Sequence, residues 1–337
     1  MDDLSKNLSL PTLDFSRYRD PAQREVFFQD LRHAARTFGF FYLKGHGVPE
    51  KLQRDIVEIS KTFFALPEED KLAVEMVRSP HFRGYTRAGW ERTKGQADWR
   101  EQFDVGAERI AVEQDATTPA WARLQGPNQW PEALPELKPA VLEWQSELTR
   151  VAIELLQAFA AALGQDKDIF EPIYRDAPNQ HLKIIRYPGR EATGSDQGGV
   201  GAHKDSGFLT LLLQDVQGGL QVENDGGWID ATPVSGTFVI NIGEILELAS
   251  NGYLKATIHR VVTPPSGKDR LSVAFFFGAD LNANVPLLNL PEDLAKEAGG
   301  TDTDPDNPLF REVGRNYLKG RLRSHPDVAR RHHSDLL

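Results

Sequence analysis

Two hydrophobic periods divide the chain. In the first half, apolar positions recur at helical spacing. Phe27, Phe28, Leu31, Ala34, Ala35 and Phe38 predict a helix over residues 21–38, which Gly39 can end. The run FFYL at 40–43 reads as a buried strand, and KGHGVP turns the chain into a second helix. That helix carries Leu52, Ile56, Ile59 and Phe63 on one face, and Pro67 marks its end. The broadest apolar face, from Trp144 through Leu148, Val151, Leu155, Leu156 and Phe159 to Leu163, predicts a helix over 139–163 with Gly164 as its cap. Between these helices, residues 78–135 are irregular and rich in Arg, Gly, Trp and Pro.

The second half changes to strand-length runs. Strands are expected at 181–188, 208–215, 219–222, 227–232, 236–243, 256–263 and 270–278, separated by Gly, Pro, Asp and Asn. Residues 244–250 fit one short helix. The tail from about 306 begins as a helix and fades into the polar RSHPDVARRHH. Short strands at this spacing point to a sandwich or barrel rather than a parallel sheet. The expected class is α+β with a mainly β core, the N-terminal helices packed on it as one unit.

Composition narrows the chemistry. The chain has 337 residues, a net charge of −10 and no cysteine. Disulfides, iron–sulfur clusters, thiolate zinc sites and cysteine nucleophiles are excluded, so a metal would sit on nitrogen and oxygen ligands. The acidic balance argues against a nucleic-acid surface. The opening MDDLSKNLSL is no secretory signal, and no apolar run reaches the roughly 18 residues of a membrane span. A cytoplasmic enzyme or binding protein is expected, as a monomer or weak homodimer.

Polar residues interrupt the strand-rich half at a few places. His203 and Asp205 stand two apart before a run of leucines, His259 lies within ATIHRVV, and Arg270 and Ser272 open RLSVAFFF. Residues two apart on a strand face the same side, so each close pair is expected to aim together. Two histidines and a carboxylate suit non-haem Fe(II), leaving three adjacent coordination positions open. A zinc hydrolase uses similar ligands, and a histidine within a strand is commonly a hydrogen-bonded core residue. Arg270 beside an apolar run needs a carboxylate, either from a ligand or within the protein, unless it reaches solvent at a barrel rim. Phe275 and Phe277 can line a pocket or simply fill the barrel. Arg83, Tyr85, Arg87 and Trp90, followed by Trp99, Arg100 and Phe103, lie in the irregular loop. They either receive an anionic or amphipathic small molecule or pin the loop to the barrel. GREATGSDQGGVG, 189–201, reads as a mobile approach to the His203 strand, and His46 in GHGVP reads as structural.

The segments HLKIIRYP, GAHKDSGFLTLLLQDVQGGLQV, GTFVINIGEILELASNGYLKATIHRVV and RLSVAFFF, with FGFFYLKGHGVP and RGY upstream, resemble the isopenicillin N synthase-like branch of the Fe(II)/2-oxoglutarate oxygenases. The likeness runs through nearly the whole chain. It implies a double-stranded β-helix, or jelly-roll, core over 179–290, an N-terminal helical and loop region over 1–135, a supporting long helix over 136–178 and a C-terminal extension over 291–337. It implies His203, Asp205 and His259 as iron ligands. Arg270, Ser272 and Tyr187 would hold the distal carboxylate of 2-oxoglutarate, with O2 as the oxidant of a C–H bond in a small-molecule substrate. Where many plant members carry Asn-x-Tyr, this chain has Ile185-Arg186-Tyr187, closer to isopenicillin N synthase and the ethylene-forming enzyme. The former grips a substrate carboxylate instead of 2-oxoglutarate. A 2-oxoglutarate-independent oxidase or cyclase, an ethylene-forming activity and a non-catalytic jelly-roll binding protein are therefore the alternatives.

Overall fold

The structure is a computed structural model in which residues 9–191, 198–225, 227–301 and 307–337 are described. Its strands, in chain order, are β1 (Thr12–Asp14), β2 (Phe40–Lys44), β3 (Gly84–Thr86), β4 (Arg92–Thr93), β5 (Gln96–Ala97), β6 (Glu101–Gly106), β7 (Asn179–Tyr187), β8 (Gly198–His203), β9 (Leu209–Gln214), β10 (Leu220–Asn224), β11 (Gly227–Asp230), β12 (Phe238–Ile242), β13 (His259–Val262) and β14 (Arg270–Gly278). The helices are α1 (Ser16–Arg19), α2 (Arg24–Thr37), α3 (Glu50–Phe64), α4 (Glu68–Ala73), α5 (Leu137–Ala162), α6 (Glu244–Ala249), α7 (Glu292–Glu297), α8 (Val313–Ser324) and α9 (Pro326–His332).

Two sheets face each other as a jelly-roll sandwich. The larger runs β1-β2-β12-β9-β14-β7-β6-β3, and the smaller runs β11-β10-β13-β8. All pairings are antiparallel except β1 with β2. Strand alternation sorts the larger sheet into two faces. Leu271, Val273, Phe275 and Phe277 of β14, with Leu182 and Ile184 of β7 and Phe103 and Val105 of β6, join the core under the helices. That core includes Trp144, Leu148, Leu155 and Phe159 of α5 and Ile56 and Phe63 of α3, because α3 and α5 lie across β14. Ile185, Tyr187 and Ala274 face the other way, into the sandwich, with Phe40, Val222, Val239 and Val261.

This sorting corrects one expectation. Phe275 and Phe277 do not line the sandwich interior; they are fully buried under the helices, and Phe276 takes the inward position. Phe103 packs at a tilt against Phe63 of α3, ring centroids 4.7 Å apart, on the same outer side.

A second correction concerns the tail. RSHPDVARRHH does not fade, because Pro326–His332 forms α9 with Val328 and Ala329 buried. His332 and His333 reach the backbone carbonyls of Val77 and Pro80 at 2.9 and 2.8 Å, and the His333 ring stacks on Phe82. Arg123 clasps Asp335 through two bonds of 2.8 and 2.7 Å. The tail is thus stitched to the loop after α4. Its polar residues hid a two-residue apolar contact too short to show a period. Residues 192–197 of the glycine-rich approach lie outside the described residues, and 198–203 are strand β8.

Candidate metal centre and anion pocket

His203 and His259 are directly opposite in the β8–β13 pairing, with ring centroids 4.4 Å apart. Neighbouring antiparallel strands thus bring together two side chains that are 56 positions apart in sequence. Asp205 arrives differently. β8 ends at His203, and Asp205 sits in the loop before β9 rather than on a shared strand as the spacing suggested. That loop is fastened beneath: the Asp205 carbonyl accepts from the Glu244 N–H at 2.8 Å, and the Phe208 carbonyl accepts from the Gly243 N–H at 2.9 Å.

The donor atoms converge. His203 Nε2 lies 3.5 Å and His259 Nε2 3.6 Å from Asp205 Oδ1. One ligand atom from each residue falls within 4.8 Å of the others, the only such cluster of three or more among the described residues. Each imidazole is oriented by its other nitrogen: Nδ1 of His203 meets the Gly201 carbonyl at 2.8 Å, and Nδ1 of His259 meets the Thr257 carbonyl at 3.1 Å. A carbonyl only accepts, so Nδ1 carries the proton and Nε2 presents its lone pair to the centre. Asp205 is oriented likewise. Its Oδ2 accepts from Thr210 Oγ1 at 2.5 Å and Asn241 Nδ2 at 2.9 Å, leaving Oδ1 for the centre. Phe40 packs edge-on against His259 at 5.0 Å.

The electrostatics suit a cation. Burial would raise the Asp205 carboxyl, but the two imidazoles and the Thr210 hydroxyl hold it well below the ordinary carboxylate range. Burial, with the adjacent His203, pushes the His259 imidazole down to about 4, so its neutral form prevails near pH 7. Neutral imidazoles and an ionised carboxylate are the forms that bind a divalent metal.

Gly243 is fitted tightly beneath this loop. A Cβ there would stand 2.0 Å from the Gly207 carbonyl oxygen. Gly243→Ala is expected to push the Asp205 loop outward, costing about 1–3 kcal/mol of stability and weakening divalent-metal binding. Urea unfolding and a metal titration on the variant check both.

Beyond the triad lies a buried cation. Arg270 is 1% exposed and forms no ion pair among the described residues; the Asp215 carboxylate feels its charge but accepts from the backbone N–H groups of Leu271 and Gln217. Its guanidinium donates to Ser272 Oγ at 3.2 Å and Gln214 Oε1 at 2.9 Å, stands 4.9 Å above the Tyr187 ring, and leaves Nε without a partner. Neither an internal salt bridge nor a solvent-exposed rim accounts for it. Tyr187 pairs with Arg270 across β7 and β14.

Sequence reasoning missed several residues here. Thr210, Asn241 and Gln214 orient the groups above, yet each reads in sequence as an ordinary polar strand residue. A larger omission is a buried ionic wall on β6 and β7. Glu91 accepts from Lys183 Nζ at 2.6 Å and Arg100 at 2.7 Å, with His325 at 3.4 Å. Asp104 lies 3.0 Å from His181, 3.2 Å from Arg321 and 3.7 Å from Lys183.

The loop residues expected to touch substrate have other partners. The buried Arg83 donates to the carbonyls of His81 and Leu124 at 2.7 and 3.0 Å. Arg87 pairs with Glu75 at 2.7 Å and lies 5.2 Å over Trp90. Tyr85 donates to Glu101 Oε2 at 2.6 Å within the helix-side core. Trp99 donates to the Pro188 carbonyl at 3.1 Å. Arg83, Tyr85, Arg87, Trp99 and Arg100 thus each have a partner within the protein, which favours fastening of the loop over the substrate contact expected at Arg83, Tyr85, Arg87 and Phe103.

Comparison with known proteins matches residues 178–279 to the 2OG-Fe(II) oxygenase superfamily, and residues 10–133 to the family described as non-haem dioxygenase in morphine synthesis N-terminal. The 2-oxoglutarate-dependent dioxygenase frbJ of a Dothideomycetidae species is 36% identical, covering 95% of this chain and 90% of its own. The chain belongs to the Fe(II)/2-oxoglutarate oxygenases. It is a non-haem dioxygenase that takes Fe(II) and 2-oxoglutarate and acts on a small molecule. Another relative of this oxygenase is the homoarginine-6-hydroxylase 2-ODD-C23.1 of Arabidopsis thaliana, 38% identical over 84% of this chain and 88% of the relative. Among solved structures, a full-length Neurospora crassa protein in complex with α-ketoglutarate and thymine superposes with a TM-score of 0.75 at 27% identity, covering 94% and 98% of the two chains. A Caulobacter crescentus 2OG-Fe(II) oxygenase family protein gives 0.73 at 30% identity over 93% and 98%. No helix among the described residues of the oxygenase is long and apolar enough to cross a membrane.

Proposed function

We propose that His203, Asp205 and His259 hold the iron of this oxygenase and that Arg270, Ser272 and Tyr187 receive the distal carboxylate of 2-oxoglutarate. The observation that carries the second assignment is the buried Arg270, whose hydrogen-bond partners among the described residues are the neutral Ser272 and Gln214. A guanidinium kept from water calls for an anion, and a carboxylate matches it with two parallel hydrogen bonds. The donor set fits the metal: two imidazoles and one carboxylate, no thiolate, each fixed by its own hydrogen bond.

When bound, iron and 2-oxoglutarate supply with O2 the oxidising power for C–H abstraction. The chain's residues supply placement. Gln214 and Ser272 hold the Arg270 guanidinium, the Tyr187 ring lies beneath it, and Thr210 and Asn241 keep Asp205 Oδ1 turned to the metal. Hydroxylation, desaturation and ring closure are all open to this arrangement. The relatives' names point to different small molecules, so the walls of this chain's own cavity must choose its substrate. We propose a monomer or weak homodimer, since only seven large apolar side chains among the described residues are exposed.

The test is co-substrate turnover. The purified protein with Fe(II) and O2 is expected to convert 2-oxoglutarate to succinate, slowly without substrate, and Zn(II) is expected not to replace iron. Iron-dependent oxygen uptake with no succinate would instead establish the oxidase or cyclase reading, in which a substrate carboxylate occupies Arg270.

A further inference from the structure

The ionic wall on β6 and β7 stands beside the metal centre. Strand register places it there. His181 is opposite Phe276, Phe276 is opposite Thr210, and Thr210 donates to Asp205. One step further along β7, Lys183 is opposite Ala274, a small side chain between the metal level and the Arg270 level. The β4–β5 hairpin packs on the same end of β8: Thr93 lies 3.3 Å from the place of a Cβ on Gly201 and donates to Asp98 at 2.9 Å. The wall therefore borders the space in front of the metal.

Its composition is unusual for a core. Three acids, Glu91, Asp98 and Asp104, and three bases, Arg100, Lys183 and Arg321, are all buried or nearly so. They come from four separate parts of the chain: the hairpin, β6, β7 and the C-terminal α8. Buried ion pairs return little net stability, because desolvation offsets their attraction. Convergence of this kind at a reaction cavity calls for a functional reason. One valence also remains open. Gln102, fully buried on the inward face of β6, donates to Asp104 Oδ2 at 2.6 Å, and its Oε1 has no donor. An acceptor left unspent beside the Asp104 carboxylate is shaped for a nitrogen cation carrying several N–H groups. The matching anion partner is Arg321, whose guanidinium reaches the wall from α8. Lys183 is the replaceable member. Its ammonium is shared between Glu91 and Asp104 on a flexible stem, and burial holds its pKa below the ordinary value.

We infer that the wall is the primary-substrate site, and that the substrate is a free amino acid with a basic side chain. Its cationic end binds Glu91, Asp104 and Gln102 Oε1, displacing Lys183, and its carboxylate binds Arg321 with Arg100 nearby. This inference rests on the iron and 2-oxoglutarate assignment above. Where the loop arginines suggested an anionic or amphipathic ligand, the wall calls for one that carries both signs. Arg321 and His325 belong to α8 and the residue that follows it, so the C-terminal segment completes the site.

The experiment uses the full-length protein loaded with Fe(II) and 2-oxoglutarate without oxygen. The visible band of the loaded site is recorded first, then during addition of L-arginine, L-lysine, uracil or phenylacetate. Succinate release in air is measured for the same set. One of the two amino acids is expected to shift the band and raise succinate release at least about tenfold, while uracil and phenylacetate do neither. Glu91→Gln and Gln102→Met are each expected to raise the half-saturating amino acid concentration, Glu91→Gln by at least about tenfold, with the substrate-free band unchanged. That unchanged band certifies that the variants fold and load. A normal band with no response to either amino acid overturns the inference and leaves the iron and co-substrate assignment standing. So does an unaltered half-saturating concentration in both variants. Failure of the band itself overturns the assignment, and the inference falls with it.

Discussion

Arg270→Leu is expected to strip the enzyme of 2-oxoglutarate affinity without weakening its fold. Removing one side of a buried charge pair costs about 2–5 kcal/mol, a loss of roughly 30-fold to several-thousand-fold in affinity. The apoprotein should respond in the opposite sense. In the free protein Arg270 is a buried cation held only by Ser272, Gln214 and the Tyr187 ring among the described residues. Leucine is shorter than arginine, but it removes the cost of burying the charge, so the melting temperature of the apo variant should stay level or rise. A structural arginine would behave differently, with stability and co-substrate affinity falling together. Thermal unfolding of the apo variant and a 2-oxoglutarate titration of its iron form separate the two outcomes.

Asp205→Asn carries the second large effect. The amide keeps the size of the carboxylate and can still offer an oxygen to Thr210 and Asn241, which now hold Oδ2. It then turns an NH2 group toward the two Nε2 atoms in place of Oδ1. The ligand is lost and the donor pointing at the metal repels it. Succinate formation should fall by at least about a thousandfold, equivalent to some 4 kcal/mol of barrier, with iron binding weakened in parallel. Asn241→Ala removes only a group that orients the ligand and should cost about 10–100-fold in metal affinity. Iron content after desalting and succinate release rank the three proteins.

Much of this architecture is legible in the sequence because it is periodic. β14 runs Arg270–Gly278, the span expected from RLSVAFFFG, since a β-branched and aromatic run between turn residues has few other conformations open to it. The same alternation set Arg270 and Ser272 on one face. It also contained the answer that was misread at the far end of the strand. Positions 270, 272, 274 and 276 share a face, so Phe276, not Phe275 or Phe277, had to accompany Arg270 into the cavity. Where period stops, so does legibility. Asp205 is aimed by a loop whose course depends on the Gly243 and Glu244 amides, far along the chain. The ionic wall is harder still. Residues 91, 98, 104, 183 and 321 each resemble ordinary surface charge in sequence, and only the sheet order and the return of α8 bring them together. The tail illustrates the same limit: beside its polar bonds to the loop after α4, α9 buries only Val328 and Ala329.

The most direct measurement is the visible spectrum of the protein under anaerobic conditions as Fe(II) and then 2-oxoglutarate are added. A weak metal-to-ligand charge-transfer band that needs both components is the predicted result, placing the keto acid on the iron with its far carboxylate at Arg270. Tight iron binding with no such band at saturating 2-oxoglutarate would contradict the account and assign Arg270 to a carboxylate of the substrate.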